Sequence, residues 1–290
     1  MTAITFRDFS YAYPGRDKIL DSVNLTVPHG SFTVVAGPNG AGKTSLCLAI
    51  GGIVPHYFGG SLAGEVLVAG VRTLESSMGE LAAAVGTVLE DYESQLVTMT
   101  VAEEVAFALE SRGLDHGTIR QRVTEALGWV GLAGLEQREI SSLSGGQRQR
   151  LAIAAVLATK AAILVLDEPA SALDPEGAEE IYALLAALNR EHAITVVVVE
   201  HDLARVLPYV DQLVVLVAGK IVRTGGCGEV LTYLWQQEEL KDMVPPLWAA
   251  KFGLEHHLDT SFGDWRRVSD AVDELAEGLA GQDEEETKSA

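Results

Sequence analysis

The stretch SFTVVAGPNGAGKTSLCLAI, residues 31–50, restricts the fold more than any other part of the chain. An apolar run reads as a buried strand, GPNGAGKT at residues 37–44 breaks it, and a helical pattern follows. Strand, glycine-rich turn and helix in that order make a P-loop in the context it requires. Gly37, Gly40 and Gly42, with Pro38, Asn39 and Ala41 between them, let backbone N–H groups curl around phosphates. The start of the helix adds a favourable dipole. Lys43 is expected to reach the β- and γ-phosphates, Thr44 to ligate Mg2+ and Ser45 to touch the α-phosphate side.

Two later strands end in polar residues that suit the same chemistry. AAILVLDEP, residues 161–169, closes a continuous apolar run with two carboxylates. Asp167 at the strand terminus is placed to hold Mg2+ through water, and Glu168 to polarise an attacking water. VVVVEH delivers His201 in the same way, which favours a γ-phosphate contact. Strands that alternate with helices and read as unbroken apolar runs imply a parallel sheet covered on both faces. TAITFRDFSYAYP, ILDSVNLTVPHGSFTVVAG and the hairpin-like SLAGEVLVAGVR add a small antiparallel β-subdomain. Helical spacing runs from Val101 to about Leu132 and again over 146–159, which suggests an α-helical subdomain at about 90–160.

Composition narrows the partners. A formal charge of −20 argues against a sequence-independent nucleic-acid binder and against direct adsorption to anionic lipid. Any membrane role would then go through a protein partner. The N-terminus lacks a signal-peptide profile, and no apolar run reaches the roughly 20 residues of a spanning helix, so the chain is expected to be cytosolic in its own right. Cys47 and Cys227 have no metal-type spacing and are expected to be structural, and the adjacent His256 and His257 to be solvated.

LSGGQRQR, residues 143–150, separates the possible subfamilies. Ser144, Gly145 and Gly146 begin a helix, and so make a second anion-binding N-terminus about a hundred residues beyond the first. One chain does not need two phosphate cradles for one nucleotide. Two chains facing head to tail do.

The P-loop, LSGGQ, LVLDEP, SALD and the histidine after VVVVE, in this order, resemble the ATP-binding subunit of an ABC transporter over residues 4 to about 225. The resemblance implies a P-loop NTPase of α/β class, with a RecA-like parallel sheet beside the antiparallel and helical subdomains. It implies MgATP as substrate, Tyr13 stacked on adenine, Glu168 as general base and His201 as the switch histidine. Asp174 would bridge to the opposing subunit, and Ser144, Gly145, Gly146 and Gln147 would contact that subunit's ATP. GGIVPHYFGGSLAGEV and VGTVLEDYESQLVTMTVAEEVAFALE narrow the resemblance to the energy-coupling-factor ATPases, which power vitamin and transition-metal uptake. Those pair as homo- or heterodimers beneath a transmembrane coupling subunit that holds a membrane substrate-binding protein. The chain would then work peripherally at the cytoplasmic face of the membrane. An ordinary ABC importer or exporter ATPase, or a soluble ABC ATPase acting on a cytosolic assembly, stays open.

The expected organisation is an ATP-binding domain over 1–228, a C-terminal helical extension over 229–280 and a disordered acidic tail, GQDEEETKSA, at 281–290. Val268, Val272, Leu275 and Leu279 sit at helical spacing in the extension. The family normally places a glutamine directly after the strand VGTVL, where it touches Mg2+, but here that position is Glu90 and a glutamine follows only at Gln95. Glu90 is the expected working residue, because a carboxylate is a competent Mg2+ ligand. Asp91 and Glu93 read as solvated loop. Tyr92, Leu96, Val97 and Met99 read equally as subdomain core or as a groove for a partner's helix.

Overall fold

The computed structural model describes residues 1–258 and 260–277. Its first strands follow the alternating pattern of a half-buried sheet. In β2 (Lys18–Pro28) buried positions alternate with exposed ones over Val23–Pro28, and β1 (Thr2–Ala12) pairs with it antiparallel. β3 (Phe32–Ala36) is buried at every residue and leads through the glycine turn into α1 (Lys43–Ile50) and a short turn, α2 (Ile53–His56). β4 (Ser61–Val68) and β5 (Val71–Arg72) complete a four-stranded antiparallel sheet in the order β2-β1-β4-β5.

The second half alternates helix and strand. A capping box of Ser77 and Glu80 opens α3 (Met78–Ala84), which runs into β6 (Val85–Val88). Another, of Thr100 and Glu103, opens α4 (Val101–Ser111), and Asp115 caps α5 (His116–Trp129). Then come α6 (Gly145–Leu157), β7 (Ile163–Asp167), α7 (Pro175–His192), β8 (Thr195–Glu200), β9 (Gln212–Val217) and β10 (Lys220–Gly225). The six-stranded sheet has the order β10-β9-β3-β8-β7-β6, parallel except for β10. Alternate residues of its strands feed two cores. Val34, Leu164, Leu166, Val196 and Val198 pack beneath the helices, while Val35, Val165, Val197 and Val199 face α1 and the antiparallel sheet.

The C-terminal part differs from expectation. α8 (Cys227–Gln236) begins before residue 228, so the expected boundary would cut a helix. Cys227, Val230, Leu231 and Leu234 belong to the core under the sheet, together with Trp248 and Phe252 of α9 (Pro246–Leu258). Residues 268–277 are helical, but their inward face is not the apolar stripe read from sequence. Ala271 is buried, whereas Val268 and Val272 are 67% and 58% exposed. A polar pin sets this rotation: the buried Trp265 donates from Nε1 to Glu274 Oε2 at 2.7 Å, turning position 274 inward. Leu279 and the expected disordered tail lie outside the described residues.

Candidate active site

β3 carries the phosphate-type loop to the carboxyl edge of the parallel sheet, where open α/β sheets place their ligands. Two of its glycines cannot be replaced without a clash. A Cβ at Gly37 would overlap the carbonyl of Leu216, and Gly42 has φ of 102° with the Ile19 carbonyl 2.7 Å from where its Cβ would sit. Ala41 N–H donates to the Pro38 carbonyl at 3.2 Å and closes the turn. The buried Lys43 ammonium donates to the carbonyls of Gly37 (2.9 Å) and Pro38 (3.2 Å), and stands 4.0 Å from Glu168 Oε1.

A cleft of about 450 Å3 opens above this loop. Asn39, Gly40, Thr44 and Ser45 line it together with Glu90, Glu168 and His201, which come from three other strand ends. Asp167, the last residue of β7, precedes Glu168 and is 2% exposed. Its Oδ2 has no hydrogen-bond partner. Burial pushes the Asp167 carboxyl above its ordinary range. A hydrogen bond from Thr44 and the charge of Lys43 oppose this, while Glu168 and Glu90 add to it. Glu168 adopts φ of 47°, in the left-handed region that non-glycine residues rarely enter. Its N–H donates to Val199 O at 3.1 Å, and its Oε2 is 3.2 Å from His201 Nδ1.

The remaining sequence candidates fall outside the cleft wall. Tyr13 is half-buried, with its hydroxyl 3.2 Å from Ser45 Oγ and its ring edge-on to Tyr11 and Phe58. Ile19 takes a place in the wall that the sequence reading did not foresee. Ser144 and Gln147 satisfy each other in a capping box: Gln147 N–H donates to Ser144 Oγ (3.3 Å), and Ser144 N–H to Gln147 Oε1 (3.0 Å). Gly146 faces open space. None of Ser144, Gly145, Gly146 and Gln147 lines the cleft of their own chain. Asp174 caps α7, accepting from Gly177 N–H at 2.8 Å.

With this geometry in view, the chain can be set against known proteins. The ABC transporter family matches residues 20–171, slightly more than half of the chain. The chain belongs to the ABC transporter ATP-binding family. It is an ATPase of that class. A protein of Streptomyces coelicolor named for ABC transporter ATP binding is 46% identical over 230 residues, which cover 79% of this chain but only 41% of that protein. A similarly named protein of Pyrococcus horikoshii is 43% identical, with 78% of this chain and 80% of its own length covered. Among solved structures, cbiO1 of Clostridium perfringens, part of the ABC transporter complex cbiONQ, has a TM-score of 0.71 at 29% identity and covers 82% of this chain and 96% of its own. The ATP-binding cassette MJ0796, solved as a dimer bound to ADP and Pi, has a TM-score of 0.65 at 28% identity and covers 77% and 98%.

The departure of this ABC chain after β6 has a structural basis. Gln95 turns back on the strand end: its Oε1 accepts from Leu89 N–H (2.9 Å), and its Nε2 donates to Thr87 O (3.3 Å). Glu90, not Gln95, reaches the cleft. Asp91 and Glu93 are exposed, in line with the solvated reading, and each also makes a surface contact. Asp91 accepts from Ser94 N–H at 3.4 Å, and Glu93 pairs with Arg148 of α6 at 2.6 Å. Tyr92 is buried and donates to Gly145 O at 3.3 Å, so the loop is tied to the start of α6. The four apolar loop residues divide. Tyr92 is core, while Leu96 lines a mostly apolar groove of about 510 Å3 with Gln95, Met78, Glu104 and Phe107. Val97 and Met99 are exposed and line neither. Sequence reasoning also missed Glu200, although it stands beside His201 in VVVVEH, and its partner Tyr182 on α7.

Proposed function

We propose that the chain binds MgATP in this cleft and hydrolyses it as one of two such subunits facing head to tail, so as to drive uptake through a membrane complex of the energy-coupling-factor type. The convergence of Lys43, Asp167, Glu168 and His201 at one sheet edge carries the reading. Lys43, now held by loop carbonyls, would exchange them for the β- and γ-phosphates, and Glu168 would orient the attacking water with His201 beside it. Tyr13 would leave Ser45 to stack on adenine.

Magnesium fits the donor set. Thr44, Asp167 and Glu90 offer only oxygen, and the unpartnered Oδ2 of Asp167 is a buried acceptor without a donor. Charge points the same way, since one ammonium faces the carboxylates of Glu90, Asp167 and Glu168 across a site for a polyanion. Among the described residues no three His, Cys, Asp or Glu side chains form a metal cage, and Mg2+ needs none when substrate phosphates and water complete its shell. When bound, it would neutralise charge on the transferring phosphoryl group.

The start of α6, with Ser144, Gly145, Gly146 and Gln147 outside their own chain's cleft, supports a site completed by a second subunit. Asp174 follows Leu173, whose side chain lies beside Gly145. The apolar groove beside α4 suits a helix of a transmembrane coupling subunit, which would itself hold a membrane substrate-binding protein for a vitamin or transition-metal ion. Such a complex would place the chain peripherally on the cytoplasmic face; among the described residues no helix is long and apolar enough to cross a membrane. We take residues about 90–160 as the helical subdomain, and the ATP-binding domain as extending through α8. The test is an affinity pull-down from detergent-solubilised native membranes, with mass spectrometry of what is retained. A polytopic subunit and a small membrane binding protein are expected. Soluble partners alone would overturn the transport reading and leave the ATPase standing.

A further inference from the structure

Behind the cleft, a buried carboxylate stands where the strand pattern calls for an aliphatic. β8 reads TVVVVE, and Glu200 is 4% exposed at its end. Its Oε1 accepts a hydrogen bond from the hydroxyl of Tyr182, itself buried on α7. Its Oε2 accepts from the His201 N–H at 3.3 Å and lies 3.9 Å from His201 Nδ1. Glu168 Oε2 approaches the same nitrogen from the cleft side at 3.2 Å.

We propose that Glu200 is a positioning residue for His201, and that Tyr182 holds it in place, so that α7 and the histidine facing Glu168 behave as one unit. Three features support this. β8 ends at Glu200, so the His201 N–H has no ladder partner and the Glu200 side chain supplies its acceptor. Burying a carboxylate is costly, and an apolar pair at 182 and 200 would avoid that cost, so packing alone does not account for the choice. Finally, a small polar cavity of about 120 Å3 joins Ser171 and Leu173, in the turn that Asp174 ends, to Tyr182, Glu200, His201 and Arg205. The hydroxyl–carboxylate pair therefore lies between the turn that opens α7 and the catalytic histidine. Arg205 and Asp202 are the other charged groups on that cavity wall.

This inference rests on the hydrolysis reading, since His201 has work to do only if Glu168 acts on ATP. The test measures kcat and KM for MgATP, together with thermal stability, on the full chain carrying Tyr182→Phe, Glu200→Ala or Glu200→Gln. Glutamine can accept from His201 N–H and donate to the tyrosine oxygen, so it preserves both hydrogen bonds without the charge. Tyr182→Phe and Glu200→Ala are expected to lower kcat about tenfold with KM within about twofold, and Glu200→Gln to recover most of the rate. Unchanged kcat in Tyr182→Phe and Glu200→Ala, whatever happens to melting temperature, would overturn the inference. So would a Glu200→Gln enzyme as slow as the alanine variant. Glu168→Gln is the control. A wild-type chain no faster than that variant would remove the hydrolysis reading and this inference together, whereas normal wild-type hydrolysis with a normal Tyr182→Phe removes this inference alone.

Discussion

At the end of β6 the chain offers two oxygen-bearing side chains, Glu90 and Gln95, and the strand's own hydrogen bonding takes one of them. Gln95 is spent on Leu89 N–H and Thr87 O, which leaves Glu90 in the cleft. Glu90→Gln is therefore expected to keep most of the ATPase rate while Glu90→Ala loses hydrolysis, and a steady-state phosphate-release assay reads both. A fully active alanine variant would exclude Glu90 from the site. Glu200 adds a pH dependence. Burial pushes its carboxyl up to about 7 from an ordinary 4.5, with the Tyr182 hydrogen bond opposing and Glu168 reinforcing. Between those values the folded chain holds a proton that the unfolded chain has released. Stability from this group is thus fully present below the unfolded value and is lost as pH rises through about 7, by on the order of 3 kcal/mol. Denaturant melts at pH 5 and pH 8 should show a smaller drop for Glu200→Gln than for the wild type, and equal drops would contradict this. Lys43 could be read from the sequence because the glycine loop announces it, and Asp167 and Glu168 because a strand end does. The Tyr182–Glu200 pair could not, because its partners lie on different elements and only the folded chain brings them together.

Among the elements, those with clear periods were legible. Helical apolar spacing from Val101 marked α4, the run from Ser144 marked the start of α6, and continuous aliphatics marked β7 and β8; the capping boxes at Thr100 and Ser144 are what the structure adds. Beyond residue 229 the chain read as helical without separate helices being marked. The start of α8 was missed, because its N-cap is Gly226 with no side-chain hydrogen bond and it follows directly on β10. The bounds of α9 were blurred for a different reason. Lys251 breaks the apolar pattern yet is buried, with its ammonium 3.1 Å from Glu255 and 4.6 Å from the centre of the Trp248 ring. The groove beside α4 gives a prediction at this scale. Phe107 lines it while 51% exposed, so Phe107→Asp should cost stability less than about 1 kcal/mol. ATP binding should persist, and recovery of a membrane subunit in the pull-down should fail. Recovery equal to wild type would show that the groove is not the docking face.

For the whole molecule, alternation of strand and helix was enough to give the class, but not the order in which strands lie. That order, with β3 between β9 and β8 and with β7 next to β8, brings the glycine loop, Asp167, Glu168 and His201 to one edge. Local pattern carries no signal for it, since each strand reads as the same aliphatic run. By contrast, the sequence already suggested a second anion-binding helix start that would serve a facing chain. Ser144 to Gln147 do not line their own chain's cleft, which supports the central proposal of a site shared by two chains. The most direct test is the solution mass of Glu168→Gln, measured by light scattering with and without saturating MgATP. A single chain's mass without nucleotide, and two chains' mass with two bound ATP when it is present, is the expected result. A variant that binds ATP fully and still keeps the mass of one chain would contradict it.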